Sequence, residues 1–251
     1  MQNTIETGDG ATQTAATGPE RTTDPLAEME AELEARRDAI LLGMLPDVAF
    51  DGWTLAAMRQ GAKLAGFDAR EAQAAFPDGP LQVLDHFADW ADRQMLADLA
   101  ATDMAALKVR QRVALAVRTR LEILAPYREA LRRATAMLAM PSGLALGPRL
   151  LYRTVDRVWR LAGDTSTDYN FYTKRLLLGG VVTTTTLYWL DDASDDQADS
   201  WAFLDRRIND VMTVGKSMGQ VTGAVGKAGG LFAHLPSPAR FARHLRGAMA
   251  R

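Results

Sequence analysis

Cysteine is absent from all 251 residues. That excludes disulfides, thiolate nucleophiles and thiolate metal sites. Histidine is scarce: His86, His234 and His244 lie far apart, and none belongs to a paired zinc motif. Long apolar runs are missing too. The most apolar stretch, Leu176 to Leu190, has 15 residues, four of them threonine, which is too short to cross a bilayer. The N-terminus lacks an apolar core and sets Glu6, Asp9, Glu20 and Asp24 against Arg21, which argues against a secretory signal or a mitochondrial transit peptide. Gly215-Lys216-Ser217 echoes a phosphate loop, but Asp210 stands where the earlier glycine is needed. Gly226-Lys227 fails likewise, with Val221 upstream and Ala228 after it. No dinucleotide fingerprint and no Ser/His/Asp set stands out. The expectation is therefore no catalytic residue, no cofactor and no metal: a protein that is not an enzyme.

Acidic residues are lacking in one region only. From Val211 to Arg251 there are six Lys/Arg and no Asp or Glu. The remainder carries 23 basic against 31 acidic residues. A basic tail on an acidic body suits an anionic surface such as a membrane. The rest of the composition is ordinary for a soluble globular protein, 47% hydrophobic and 24% charged.

The chain reads as helices throughout. Residues 1–25 are rich in Thr, Gly and Ala and read as a disordered tail. From 26 to 80 the layout resembles a helix-turn-helix. A first helix carries Met29, Leu33, Ile40, Met44 and Leu45 on one stripe; a second runs from Thr54 to Ala65; a short third, capped by Asp68, ends at Phe76. Pro77-Asp78-Gly79-Pro80 is a hard stop. The pattern from Phe50 to Phe67 looks like the DNA-binding half of TetR-type repressors. A DNA reader, however, needs basic side chains for phosphates. Between Ile40 and Pro80 Arg59, Lys63 and Arg70 face five acids, and the candidate recognition helix offers one arginine beside two acids. Such a surface repels DNA, so no nucleic-acid partner is expected and the layout reads as a structural remnant. From 81 to 212 further helices follow, with a histidine, His86, read as satisfied and partly buried. The arginines at 110, 112, 118 and 120 read as a solvated, salt-bridged face.

The most unusual stretch starts at Trp159. Gly163 is a natural helix stop, and Asp164 to Asp168 are all N-cap types, so a new helix should start among them. That helix would carry Asp168, Phe171, Tyr172 and Arg175 on one face. Aromatics beside an Asp and an Arg read as a partner-docking patch, or else Phe171 and Tyr172 are core residues.

The run Ala162 to Arg175, with Trp159 before it and Trp201-x-Phe-Leu-x-x-Arg-Ile-Asn-Asp-Val-Met212 after it, closely resembles the signature of the ubiquinone (coenzyme Q) biosynthesis lipid-binding accessory proteins, the Coq-nine family. The likeness spans roughly Ala39 to Val214. It implies an all-α, TetR-like fold and a homodimer. It also implies an isoprenoid quinone precursor as bound lipid, presented to a membrane-bound di-iron demethoxyubiquinone hydroxylase.

After that stretch, β-branched Val181 to Thr186 favour a strand, but length and flanking helices favour a helix. Threonines there can bond back to the carbonyl one turn earlier. The Gly179-Gly180 notch, the hydroxyls and the apolar neighbours suit a pocket wall for a lipid with a polar head; tight helix packing against glycine is the alternative. The residues assigned to lipid contact are Trp159, Leu176, Leu177, Gly180, Thr183, Thr184 and Leu187, with Trp159 bordering either the docking patch or the pocket. Asp191, Asp192, Asp195, Asp196 and Asp199 lack the pattern of a calcium loop and read as a solvated turn before the next helix. In the tail, 213–251, the membrane contacts are assigned to Met218, Val221, Val225, Leu231, Phe232, Phe241, Leu245 and Met249, with Arg240, Arg243 and Arg246 opposite. These readings place the protein in a bacterial cytoplasm, peripherally on the inner face of the inner membrane. The rival function is a TetR-type transcriptional regulator that binds DNA and a hydrophobic effector.

Overall fold

A computed structural model describes the backbone of residues 24–163 and 169–227, and side chains for 24–163 and 172–213. The expected tail 1–25, save Asp24 and Pro25, and the candidate membrane contacts from Leu231 onward lie outside the described residues, as do the side chains of Met218, Val221 and Val225. Among the described residues every regular element is helical, so the expected all-α class holds.

Among the described residues the α-helices follow in this order. They are α1 (Pro25–Asp51), α2 (Leu55–Leu64), α3 (Ala69–Ala75), α4 (Pro80–Asp98), α5 (Val109–Leu124), α6 (Arg128–Ala139), α7 (Leu146–Leu161), α8 (Tyr169–Asp191) and α9 (Ala198–Lys227). Their starts follow local chemistry. Asp24, Thr54 and Asp68 each accept a hydrogen bond from the first turn they precede. Asp68 and Glu71 complete a reciprocal capping box on α3. Gly163 closes α7 with φ of 83°, where a side chain would be strained. The threonine-rich run is helical, and Thr184 Oγ1 donates to the Gly180 carbonyl at 2.7 Å as expected of a threonine in a helix.

Two apolar clusters organise the packing. The first joins α1, α2, α3, the N-terminal half of α4, the end of α5 and α6, around Met44, Phe76, Phe87 and Leu124. Here α1 and α2 cross so closely that a Cβ on Gly61 would lie 2.6 Å from the Met44 nitrogen, so only glycine fits. The second joins Met95 of α4 to α5, α7, α8 and α9, around Leu121, Val158, Trp189 and Ile208.

Helix α4 runs through both clusters, and an ionic seam lines its other side. Asp85, Asp89 and Asp92 share one face and meet Arg149, Arg153 and Arg157 of α7. Asp92 is fully buried and accepts from Arg120 Nε at 2.6 Å and from Thr154 Oγ1 at 3.0 Å. Arg120 is thus mostly buried in an ion pair, not on the solvated face the sequence suggested. Arg112 departs from that face too: it donates to the carbonyls of Leu107 and Ala162, both at 2.9 Å, and staples α5 to the end of α7. His86 is mostly buried; its Nε2 lies 2.7 Å from Asp38 Oδ1, and burial lowers its pKa below the ordinary value.

The aspartates after α8 act as a cap. Asp192 accepts from the Ser194 and Ser200 backbones at 2.8 Å, and the side-chain hydrogen bonds from those two serines hold its carboxyl well below the usual range. Arg128 and Arg132 close the end of α8 by donating to the carbonyls of Trp189, Leu190 and Asp192.

Candidate functional site

The threonine-rich helix α8 has a buried face and an open one. Leu178, Val181, Val182, Thr185 and Trp189 face inward. Tyr172, Leu176, Gly180, Thr183 and Leu187, spaced four, four, three and four, form the opposite stripe. Tyr172 is 70% and Leu176 78% exposed. A Cβ on Gly180 would meet nothing within 4 Å, so the notch faces open space and is not a helix contact. Gly179 instead packs against Leu151 of α7. At the far end of the stripe Tyr188 stacks on Phe203 of α9, ring centroids 4.6 Å apart.

This geometry redistributes the residues expected to contact lipid. Leu176, Gly180, Thr183, Thr184 and Leu187 lie on the outer surface of α8, not on an interior wall, and Leu177 is half-buried. The reason is that α8 is apolar all round, so its pattern could not show which face turns in. Directly behind the threonines, between Val117, Thr154, Val158, Val182 and Thr186, there is no room for a water molecule. Thr185 Oγ1 and Trp189 Nε1 are buried there without a hydrogen-bond partner.

Trp159 sits elsewhere. It is mostly buried, and its Nε1 donates to the Lys174 carbonyl at 3.1 Å while Lys174 Nζ lies 5.8 Å from the ring centroid. Its ring borders a crevice of about 20 Å³ between α5, α7, α8 and α9, whose walls include Val109, Val113, Leu178, Val181, Ile208 and Met212. Every lining side chain is apolar. Val109 and Met212, at the surface, are partly exposed. The crevice adjoins the last described side chains of α9, just before the basic tail begins. Apart from Trp159, sequence reasoning did not single these residues out, because their helical spacing is also that of any core stripe.

The expected docking patch divides as well. Asp168 and the side chain of Phe171 lie outside what the structure describes. Tyr172 is on the open face of α8. Arg175, expected beside it, is turned inward instead. It is 6% exposed and donates to Asp156 Oδ1 from Nε at 3.0 Å and Nη2 at 2.7 Å. A guanidinium three residues on is rotated about 60° from Tyr172, enough to face α7.

A larger space of about 510 Å³ lies between α1, the first half of α4 and Arg153 of α7. It is predominantly polar and rimmed by carboxylates, so it does not suit an isoprenoid chain.

Comparison with known proteins brings these features into one frame. A family model described as COQ9 matches residues 144–215, which cover α7, α8 and α9 as far as residue 215. The chain is 36% identical over 215 residues to the mitochondrial ubiquinone biosynthesis protein COQ9 of Rattus norvegicus, covering 81% of this chain and 68% of that protein. It is 35% identical to the human counterpart over 215 residues, covering 81% and 67%. Among solved structures, a TetR transcriptional regulator from Nitrosomonas europaea superposes with a TM-score of 0.58 at 20% identity, covering 70% of this chain and 97% of that one. A TetR-family regulator from Streptomyces coelicolor gives 0.50 at 17% identity, covering 87% and 99%. These structures show the fold alone: the chain is TetR-like. The expected placement on the inner face of a bacterial inner membrane is corrected by the curated relatives, which are mitochondrial proteins. Among the described residues no helix is long and apolar enough to cross a membrane.

Proposed function

This chain belongs to the COQ9 family of ubiquinone biosynthesis proteins, and we propose that within that pathway it is a lipid-binding accessory protein and not a catalyst. The observation that carries the reading is the crevice beside Trp159. Its walls are apolar throughout, and its surface residues are Val109 and Met212. A polyisoprenoid tail needs such a lining and little else. At about 20 Å³ the crevice is far too small for an isoprenoid chain, so cargo enters by parting α9 from α5 and α8. The α9 wall, Ile208, Val211 and Met212, is the one that parts, because it is the wall nearest the basic tail.

The ligand in this reading is an isoprenoid quinone precursor, and the recipient is the di-iron demethoxyubiquinone hydroxylase. The recipient docks on the open stripe of α8, where Tyr172, Leu176 and Leu187 expose apolar surface with no charge between Leu176 and Leu190. Thr183 and Gly180 keep the middle of that stripe low, so a partner helix can approach closely. DNA is not a partner: α3 sets Arg70 against Glu71 and its cap Asp68, both engaged in the capping box.

Native mass spectrometry of the purified protein, followed by lipid extraction, tests this reading. A co-purifying isoprenoid lipid is the expected result. A protein that carries no lipid and takes none up from quinone-loaded vesicles overturns it.

A further inference from the structure

Thr185 Oγ1 and Trp189 Nε1 of α8 are wholly out of solvent and have no acceptor. Their neighbours are better served. Thr154 of α7 donates to Asp92, and the Trp159 indole donates to the Lys174 carbonyl. Among the described residues the other buried side-chain atoms without a partner, Arg133 Nε and Arg153 Nε, belong to guanidinium groups that are partly exposed. Leaving a buried donor unpaired is costly, and an apolar residue of similar shape avoids the cost. Valine in place of Thr185 and phenylalanine in place of Trp189 would do so. Two retained donors one helical turn apart therefore call for an acceptor that the packed chain does not supply.

Their position says where that acceptor comes from. Leu178, which lines the apolar crevice, shares one line along α8 with both donors, all within about 20° of each other. Thr185 and Trp189 lie about 6 and 12 Å beyond Val181, the next crevice residue on α8. The other walls continue with them. On α5, Val113 of the crevice is followed by Val117 and Leu121; on α9, Ile208 is preceded by Leu204, and all are buried in the same cluster. The stacking of Tyr188 on Phe203 fixes that antiparallel course of α9. At the far end the Arg128 guanidinium covers the Trp189 ring, 4.8 Å from Cζ to the ring centroid. The seam is thus apolar from the crevice inward, with its unpaired donors at the closed end. An indole N–H can only donate, and a hydroxyl can donate or accept, so the matching ligand atoms are carbonyl, hydroxyl or ether oxygens. A phosphate or carboxylate head is not matched, because Arg128 is committed to the carbonyls of Trp189, Leu190 and Asp192, and Arg120 to Asp92.

We infer that Thr185 and Trp189 are the head-group end of the lipid site. They donate to the oxygens of a neutral ring, while the isoprenoid tail runs back along the seam and leaves past Val109 and Met212. This rests on the lipid reading above and adds to it the direction of the cargo: head inward, tail toward the basic end of the chain. Parting α9 from α5 and α8 opens the seam for the ring as it does for the tail.

The donors can be removed one at a time in the full-length protein. Thr185→Val and Trp189→Phe should each weaken binding of a short-tailed ubiquinone about tenfold, the factor that one hydrogen bond in a buried site supplies. Binding of squalene, an isoprenoid hydrocarbon with no polar head, should stay the same. Thr185→Ser, which keeps the hydroxyl, should retain the ubiquinone affinity. Without ligand, the thermal midpoint of Thr185→Val should match or exceed that of the unaltered protein, since a buried unpaired donor is gone. In the unaltered protein the Trp189 indole N–H resonance, identified by its loss in Trp189→Phe, should move downfield with the ubiquinone and not with squalene. Should Trp189→Phe not fold, the contrast of Thr185→Val with Thr185→Ser carries the test alone. Ubiquinone and squalene weakened alike by Thr185→Val would make the threonine a packing residue and overturn the assignment. Ubiquinone binding that neither substitution alters, or an unaltered protein that prefers squalene, overturns it too while the lipid reading stands. Failure of the unaltered protein to bind either compound overturns the lipid reading itself, and this assignment with it.

Discussion

Arg175 of α8 holds Asp156 of α7 through two nitrogens, at 3.0 and 2.7 Å, with the guanidinium almost wholly out of solvent. The pair pins the start of α8 to α7, one turn above the Tyr172 surface. Breaking such a buried pair typically costs about 3 kcal/mol or more, and without Arg175 Asp156 keeps only the largely exposed Arg160, whose Nε lies 2.7 Å from Oδ2. Arg175→Ala should therefore lower stability by about that amount, read as a shift in the urea midpoint. Arg175→Met, which keeps the volume, should cost less when paired with Asp156→Leu than alone. A neutral Arg175→Ala would mean that the pair is not what orients α8.

The crevice yields a prediction about cargo. Val211 lines its α9 side and is only partly buried. Val211→Trp should fill the space without cutting into the central core and should deprive the purified protein of most of its lipid, while the circular dichroism spectrum and thermal midpoint stay close to the unaltered protein. Leu176→Ala, on the outer surface of α8, should leave lipid content unchanged. Lipid lost on Leu176→Ala but kept on Val211→Trp would move the lipid site to the outer stripe.

The course of the chain was largely legible from residues of short reach. The Pro77-to-Pro80 stop and Gly163 mark helix ends that the structure keeps, because turn and cap chemistry is local. The acidic turn before α9 was readable too, but the hydrogen bonds that Asp192 accepts from Ser194 and Ser200 were not foreseen. What escaped was orientation. In α8, Leu176 and Leu187 are exposed while Leu178 and Leu190 are buried, and a run that is apolar on every side carries no periodic signal to separate them. The inward turn of Arg175 escaped for a related reason, since its partner lies 19 residues earlier on another helix. Arg120 was misread because Asp92, 28 residues away, reaches it only after α4 and α5 pack.

Acid should loosen the joint between α1 and α4. His86 sits between Asp38 of α1 and the Asp89 and Arg93 side of α4, with Phe76 of the α3 end against its ring. Burial is the largest influence and lowers its pKa below the ordinary value near 6.5, although Asp38 pulls the other way. The unfolded chain therefore takes up the proton first, and stability falls as pH drops from about 6.5 toward the lower folded value. The urea midpoint should decline over that interval in the unaltered protein and decline less in His86→Gln. Asp89, whose pKa is lowered by hydrogen bonds from Arg157 and Arg93 acting against its burial, adds a further loss at lower pH, through the carboxylate range. Parallel pH curves for the two proteins would remove His86 from the account.

Tyr172 is the residue on which the docking proposal can be separated from the lipid proposal. Its ring stands on the open face of α8, whereas the crevice lies behind α8 and is reached past Val109 and Met212. Exposed aromatics that become buried in an interface often contribute about 2 kcal/mol each, which corresponds to a loss of about thirtyfold in affinity. Tyr172→Ala should weaken binding to the di-iron hydroxylase by that order, measured by calorimetry or by co-purification at matched concentrations. Lipid content by mass spectrometry should be unchanged, because no wall of the crevice is touched. Tyr172→Phe should retain most of the affinity if ring burial drives the contact, and should resemble Tyr172→Ala if the hydroxyl does. Should Tyr172→Ala strip the lipid while leaving the hydroxylase bound, the open stripe would be the lipid surface and the recipient would dock elsewhere.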